Sequence, residues 1–492
     1  MAKMKRRNFL KQSGAAIASA YFLPTMLQSC NDGNMGMGMD RAIAVNEGAF
    51  DVALPVPTEV GATAPLTAKS SSFSMLKGKT TSTLTYQNGI LGPTIRVSNG
   101  QVVTAKLVNN LSDQTNIHWH GLKVPANMDG HPNAPVLPGG SFDYVLPINQ
   151  RAGTYWYHPH PDMMTGKQIH AGLAGMFIVN DSEEAALNLP SGAFEVPLII
   201  QDKRFNGDQL LYAPAMMDVM TGYFGETVIV NGVASPFLSV DTRWYRFRIV
   251  NGSTARIYNL ALSNGADINV IGNDGGLLSI PAKVKEILLA PGERADVLIN
   301  FAGLAIGSAV NLISKTFSGS NVQGLQQFNI MKFILGAAST DTFQLPSKLS
   351  AIAVLAPANA SKTRSFDVSV APGGGMGMRD LMHTINGKKF DMVRIDETVQ
   401  AGATEIWEFK NLGDDLHPIH LHAVQFQILA RSGGRGALTA METGWKDTVL
   451  LMPNEKVSLI MTFPLSNKGM FVFHCHNIEH EDDGMMLNFE IV

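Results

Sequence analysis

Tyr245-Arg246-Phe247-Arg248-Ile249-Val250-Asn251 alternates apolar side chains with arginines over its first five positions and closes on an asparagine. A period of two is the mark of a β-strand, in which successive side chains point to opposite faces. Upstream of it stands Asn231-Gly232 followed by Ser235-Pro236-Phe237-Leu238-Ser239-Val240, and downstream stands Pro291-Gly292-Glu293. The same three pieces recur on either side. Asn88-Gly89 with Gly92-Pro93-Thr94-Ile95-Arg96-Val97, then Val103–Asn109, then Pro138-Gly139-Gly140 form one copy. Asn386-Gly387-Lys388-Lys389-Phe390, then Glu405–Asn411, then Pro453-Asn454-Glu455 form another. The offsets between the Asn-Gly pairs are 143 and 155 residues.

A threefold repeat of short strands punctuated by Gly, Pro and Asn predicts an all-β chain with one sandwich or barrel per repeat. We place the domains at 51–185, 186–345 and 346–492. The 492 residues suffice for three cores, and with 45% apolar and 16% charged residues the composition excludes intrinsic disorder. Two cysteines exclude both a disulfide scaffold and a four-thiolate metal site, whereas 13 His and 25 Met are conspicuous.

Residues 1–29 carry Lys3, Lys5, Arg6, Arg7 and Lys11 and no acid, and an uncharged, largely apolar stretch follows. This is the layout of a signal peptide, and Lys5-Arg6-Arg7-Asn8-Phe9-Leu10-Lys11 resembles a twin-arginine (Tat) export signal. Cys30, at the end of Leu27-Gln28-Ser29-Cys30, resembles a bacterial lipoprotein cleavage site, with residues 30–50 as a linker; the rival cleavage site is Ala18-Ser19-Ala20. Either way the mature protein is expected outside the cytoplasm, in the periplasm or beyond. Losing residues 1–29 takes the net charge from −3 to −8. An acidic chain without a basic cluster argues against nucleic-acid binding.

Ten histidines fall in four clusters: His118-Trp-His120, His158-Pro-His160, His417-Pro-Ile-His420-Leu-His422 and His474-Cys475-His476-(three)-His480. In repeats 1 and 3 they hold matching places, the first clusters after Asn109 and Asn411, the second after Pro138 and Pro453. Repeat 2 has no histidine. The economical arrangement docks repeat 1 on repeat 3 with metals shared between them and repeat 2 structural. His417, Cys475 and His480, with Met485 as axial candidate, form the His2Cys set of a blue-copper site. The eight other imidazoles suit copper better than magnesium, calcium or manganese, and one tetrahedral zinc would leave them unexplained. His131 and His170 have no motif partner and read as structural.

With all four of these motifs present, the mature chain resembles the multicopper oxidases. The resemblance implies three cupredoxin-like Greek-key β-sandwich domains and four copper ions. It places type 1 copper on His417, Cys475, His480 and Met485, and type 2 on His118 and His420. It places one type 3 copper on His120, His158 and His476 and the other on His160, His422 and His474. It implies an enzyme that takes single electrons from a reducing substrate and reduces O2 to water, with Asp129 and Glu481 as proton relays. For each of these acids the bland reading is a solvated loop carboxylate.

Ile385-Asn386-Gly387, Phe390-Asp391-Met392, Gly444-Trp445-Lys446-Asp447-Thr448 and His480-Glu481-Asp482-Asp483-Gly484-Met485-Met486 are similar to bacterial copper-tolerance oxidases, which implies Cu(I) as electron donor. Thioethers are soft ligands that select Cu(I). Met376, Met378, Met382 and His383, read as a Gly-rich loop, are the candidate substrate ligands, with Met35, Met37 and Met39 as a second collector. Two departures favour a laccase acting on phenols and aromatic amines: the segment Gly373–His383 is short, and Asp414-Asp415-Leu416 precedes His417. A third reading is a non-enzymatic copper-binding scaffold. The expected partners are O2, the reductant, the Tat export machinery and, through a lipid anchor, the membrane, with the protein a monomer.

Overall fold

In the computed structural model, which describes residues 44–87, 89–372 and 381–492, the expected architecture is present: three β-sandwich domains, each of two facing sheets. Domain 1 packs Thr81–Thr85, Thr63–Phe73, β1 (Val102–Asn109) and Ser141–Pro147 against a second sheet. The second sheet orders Glu59–Val60, Thr94–Ser98, Gly175–Asn180, β2 (Gly153–His158) and, at its edge, β3 (His118–His120). The alternation of β1 is realised in its burial, with Val103, Ala105, Leu107 and Asn109 turned inward.

Domain 2 pairs a six-stranded with a seven-stranded sheet. Val52 and Ala53 align with Pro236 and Phe237 in it, so the chain visits this domain before building domain 1. A short helix, α1 (Met216–Thr221), leaves the domain between its strands. The central strand β4 (Trp244–Asn251) alternates as its sequence predicts, but its charged face is not in solvent. Arg246 and Arg248 are buried, paired with Glu184, Glu195 and Asp296 where domains 1 and 2 meet. Beside it runs β5 (Arg294–Asn300).

Domain 3 has two five-stranded sheets. One contains β6 (Leu381–Ile385) and β7 (Thr404–Asn411); the other contains β8 (His417–Leu421) and β9 (Gly469–Cys475). α2 (Ile478–Asp482) follows β9 directly.

The repeat markers have a physical basis. Asn231 and Gly232, and again Asn386 and Gly387, all have positive φ, the backbone that a tight hairpin turn requires and that Asn and Gly adopt most cheaply. The asparagine closing each strand is a buried tie. Asn109 Nδ2 donates to the carbonyls of Asp113 and Val136 at 2.9 and 2.8 Å. Asn251 bonds Arg256 and Leu289 in the same way, and Asn411 bonds Asp415 and Met452. Each tie joins the strand end to the segment just before the third marker. In domains 1 and 3 it thereby fixes the loop that leads into the first histidine cluster.

Candidate metal centre

Strand geometry sorts the ligands. His118 faces His158 across the β3–β2 pair, and His420 faces His474 across the β8–β9 pair. On β9, alternation turns Cys475 into the apolar core of domain 3 and sends His474 and His476 to the opposite face, toward domain 1. The i, i+3, i+5 spacing of His417, His420 and His422 divides that motif in the same way.

On the core side, Cys475 Sγ lies 3.5 Å from His417 Nδ1 and 3.6 Å from His480 Nδ1, and the two nitrogens are 3.2 Å apart. Met485 is buried in the same core, and its carbonyl accepts from Cys475 N at 3.0 Å. On the other side eight imidazoles converge from domains 1 and 3. His118 Nε2 faces His420 Nε2 at 3.3 Å, while His474 Nε2 faces His160 Nε2 at 3.3 Å and His422 Nε2 at 3.2 Å. The buried His120 Nδ1, His158 Nε2 and both ring nitrogens of His476 have no hydrogen-bond partner.

These nitrogens fit a metal. Two imidazoles that share a tetrahedral ion at about 2.0–2.1 Å place their nitrogens about 3.3 Å apart. Buried polar atoms otherwise find partners, so a set of orphaned ring nitrogens aimed at one another asks for a cation. The remaining nitrogen of most of these rings is occupied, which fixes tautomer and orientation. His118 Nδ1 meets the Asp129 carbonyl and His420 Nδ1 the Asp447 carbonyl, each at 2.9 Å. His158 Nδ1 meets the Pro159 carbonyl at 2.9 Å. His120 is reversed: Nδ1 is free, and Nε2 lies 3.1 Å from Asp447 Oδ1.

Electrostatics agree. Burial, reinforced by neighbouring imidazoles, lowers the pKa of His118, His420, His422 and His476 far below the usual histidine range. Burial takes His158 to about 4 and His417 to about 3. The rings are therefore neutral, the form that binds metal. Burial also pushes the Cys475 thiol up, so its thiolate needs a cation beside it.

Asp129 and Glu481 are buried, which removes the solvated-loop reading. Asp129 Oδ2 lies 2.6 Å from His422 Nδ1. Glu481 lies 3.1 Å from His474 Nδ1 and 3.5 Å from His160 Nδ1. Burial raises the Asp129 pKa. At Glu481 burial acts in the same direction, but the facing His160 and His474 outweigh it and hold the carboxyl at about 2.

Met382 and His383 are not on a loop. They belong to β6, paired with Ala371 and Val370, because Leu381–Ile385 forms a hairpin with the strand Lys362–Pro372. His383 is buried, its ring stacked 3.9 Å from that of His480 and its Nδ1 3.2 Å from Asp483 Oδ2. Met376, Met378, Met35, Met37, Met39 and Cys30 lie outside the described residues. His131 and His170 join no ligand group among the described residues. His131 ties to Asn488 at 2.9 Å, and His170 packs between Tyr212 and Tyr223.

Domain 2 supplies no imidazole, yet it borders the cluster. A Cβ on Gly292 would come within 3.0 Å of His120 and His476, so only glycine lets this backbone so close. Arg294 reaches both carboxylate oxygens of Asp447, at 2.7 Å for Oδ1, and Asp447 in turn borders His120 and Thr448. Thr448 Oγ1 also lies 3.2 Å from His420 Nδ1. Sequence reasoning noticed Pro291-Gly292-Glu293 and Gly444–Thr448 as markers without assigning them to the site.

Family models described as multicopper oxidase match residues 67–184, 195–308 and 364–492. A multicopper oxidase of Staphylococcus haemolyticus is 35% identical over 427 residues, 86% of both chains. A laccase of Bacillus subtilis is 33% identical over 82% of this chain and 89% of its own. The McoA multicopper oxidase of Aquifex aeolicus superposes with a TM-score of 0.82, at 34% identity, over 91% of this chain and 100% of the other.

Proposed function

Because the chain belongs to the multicopper oxidase family, copper-dependent oxidoreductases that use O2 as acceptor, we propose that its reducing substrate is Cu(I) and its role copper tolerance. Each Cu(I) gives up one electron and leaves as Cu(II); four electrons and four protons convert one O2 to two waters. The observation that carries this choice is the enclosure of the electron-entry ligands. His417 and His480 are fully buried, and His480 Nε2 is engaged with the Met220 carbonyl at 3.0 Å. No imidazole edge is left for a phenol to touch. A cation held outside can still pass an electron inward.

In this reading His417, Cys475, His480 and Met485 would hold type 1 copper, and His118 and His420 would hold type 2. His120, His158 and His476 would hold one type 3 ion, and His160, His422 and His474 the other. The facing and orphaned nitrogens support that division. When bound, copper supplies one-electron transfer and the binding of O2. The chain does the rest. Cys475 and its two flanking histidines make a short covalent path from one face of β9 to the other, and burial keeps bulk water away. Asp129, on which burial favours the proton, stands beside His422, and Glu481, which His160 and His474 hold ionised, stands beside those two rings, so the pair would relay protons through one imidazole. Replacing Glu481 with Gln should slow O2 uptake by about a hundredfold, the scale of a lost proton-transfer group, while leaving the blue band intact. A variant whose turnover matches the parent at every pH would remove Glu481 from the mechanism.

The reading includes export through the Tat signal, anchoring at Cys30, a location outside the cytoplasm and a monomeric protein. Among the described residues no helix is long and apolar enough to cross a membrane. The alternative, phenol oxidation, draws on the likeness to a laccase. Steady-state turnover with Cu(I) against a phenol, with and without excess Cu(II), separates the two. Strong phenol turnover indifferent to added copper, with no Cu(I) oxidation, would overturn the copper reading.

A further inference from the structure

α1, a helix of the domain that carries no histidine, covers the electron-entry side of His480. Its sequence, Met216-Met217-Asp218-Val219-Met220-Thr221, sets three thioethers within one and a half turns. Met216 and Met220 are an i, i+4 pair and Met217 and Met220 an i, i+3 pair, spacings that bring side chains together on one helical face. These methionines do not fill a core. Met216 is 38% exposed, and Met217 and Met220 are half-buried, whereas Met331 and Met461 are fully enclosed.

The base of α1 is fixed. Asp218 pairs with Arg204 and accepts from the Ala215 amide at 2.8 Å, and the Arg204 guanidinium stacks 3.9 Å from the Tyr223 ring. Asn477 Nδ2 donates to the Thr221 carbonyl at 3.4 Å. Above all, the Met220 carbonyl holds His480 Nε2 at 3.0 Å, on the edge opposite the Nδ1 that faces Cys475. One residue thus presents a thioether at the partly exposed helix and a backbone acceptor to a buried ligand of the metal centre.

We infer that α1 is the docking platform for substrate Cu(I), with Met216, Met217 and Met220 as its ligands; this rests on the reading that Cu(I) is the electron donor. Neutral thioethers favour the soft cuprous ion and hold the harder cupric ion weakly. Cu(I) therefore binds, transfers one electron through Met220 and its hydrogen bond to His480, and leaves as Cu(II). That electron joins three others in reducing the O2 that the enzyme consumes. Each thioether keeps its own bonds throughout.

The test uses the copper-loaded enzyme and Ag(I), which has the coordination chemistry of Cu(I) without its redox step. The combined variant Met216→Leu, Met217→Leu and Met220→Leu keeps side-chain volume and the Met220 backbone carbonyl. Titration calorimetry should show Ag(I) affinity falling by at least about tenfold, the lower end of what lost ligand support costs a metal site. The KM for Cu(I) should rise in parallel. An unchanged blue band verifies that the variant is folded with its type 1 site intact. A second variant, Met376→Leu, Met378→Leu and Met382→Leu, should retain most Ag(I) affinity. If this second variant loses Ag(I) and the α1 variant does not, or if the parent binds none, the assignment is overturned. If the parent fails to oxidise Cu(I) at all, the substrate reading falls. If it oxidises Cu(I) with the same KM after the α1 substitutions, only the docking site falls.

Discussion

Cys475→Ser will yield a folded, colourless protein that consumes no O2 above the enzyme-free rate with any reductant. The side chain is fully enclosed in the core of domain 3, where Ser occupies slightly less space than Cys. The serine hydroxyl has the Nδ1 atoms of His417 and His480 within reach as acceptors, so the apoprotein stays folded. The chemistry changes entirely. Burial already pushes the thiol up, so the thiolate exists only beside a cation, and a serine hydroxyl ionises far less readily. What would remain, two neutral imidazoles whose Nδ1 atoms stand 3.2 Å apart and the weak thioether of Met485, is too little to retain copper against chelators. Copper content should fall by one ion per chain, and the thiolate-to-copper band at about 600 nm should vanish. The eight imidazoles on the other face of β9 should keep their metal, seen as a persisting type 2 signal in paramagnetic resonance. A variant that stays blue would show that Cys475 is not the sulfur ligand.

That division between the two faces of β9 was legible before any coordinates, because alternation along a strand is a local property. His474, Cys475 and His476 are adjacent in sequence, so their opposite directions follow from one backbone conformation. The threefold repeat was legible for a similar reason: Asn109, Asn251 and Asn411 each perform the same buried tie, and a tie that needs both amide hydrogens leaves the same letter in each copy. What sequence could not supply was the packing between domains. Nothing local says that Arg246 and Arg248 turn their charges into a domain boundary, or that Met220 presents its carbonyl to His480 some 260 positions away. His383 was misplaced for a different reason. The glycines just before it suggest a loop, whereas pairing with Val370 extends a strand to it. Charged residues around the cluster were hardest to see, because a search by metal-ligand chemistry passes over arginine.

Arg294 is the case with the largest consequence. It is fully buried, and its five donors bind all three domains at once. Nε donates to the Thr154 carbonyl of domain 1 at 3.0 Å, and the other nitrogens reach the Gly292 and Asp274 carbonyls of domain 2, each at 2.9 Å, and Asp447 of domain 3. Asp447 raises its own cost of burial by standing beside Asp274, whose other ion pair is with Lys446 at 2.8 Å. Arg294→Met therefore removes one cation from a group that still holds Asp447, Asp274 and Glu293 against Lys446 alone. Leaving a buried carboxylate unpaired costs about 3–5 kcal/mol, more than the arginine's packing could offset. The apoprotein's denaturation midpoint should drop accordingly. Asp447 should also take up a proton or turn away, releasing His120 Nε2, and the type 2 resonance signal should broaden or shift while the blue band, on the far face of β9, persists. Adding Asp447→Asn should recover part of the lost stability, since both charges are then gone, without restoring the resonance signal. An Arg294→Met protein within about 1 kcal/mol of the parent, the scale of an ordinary surface pair, would mean that the Arg294 bonds are not what joins the three domains.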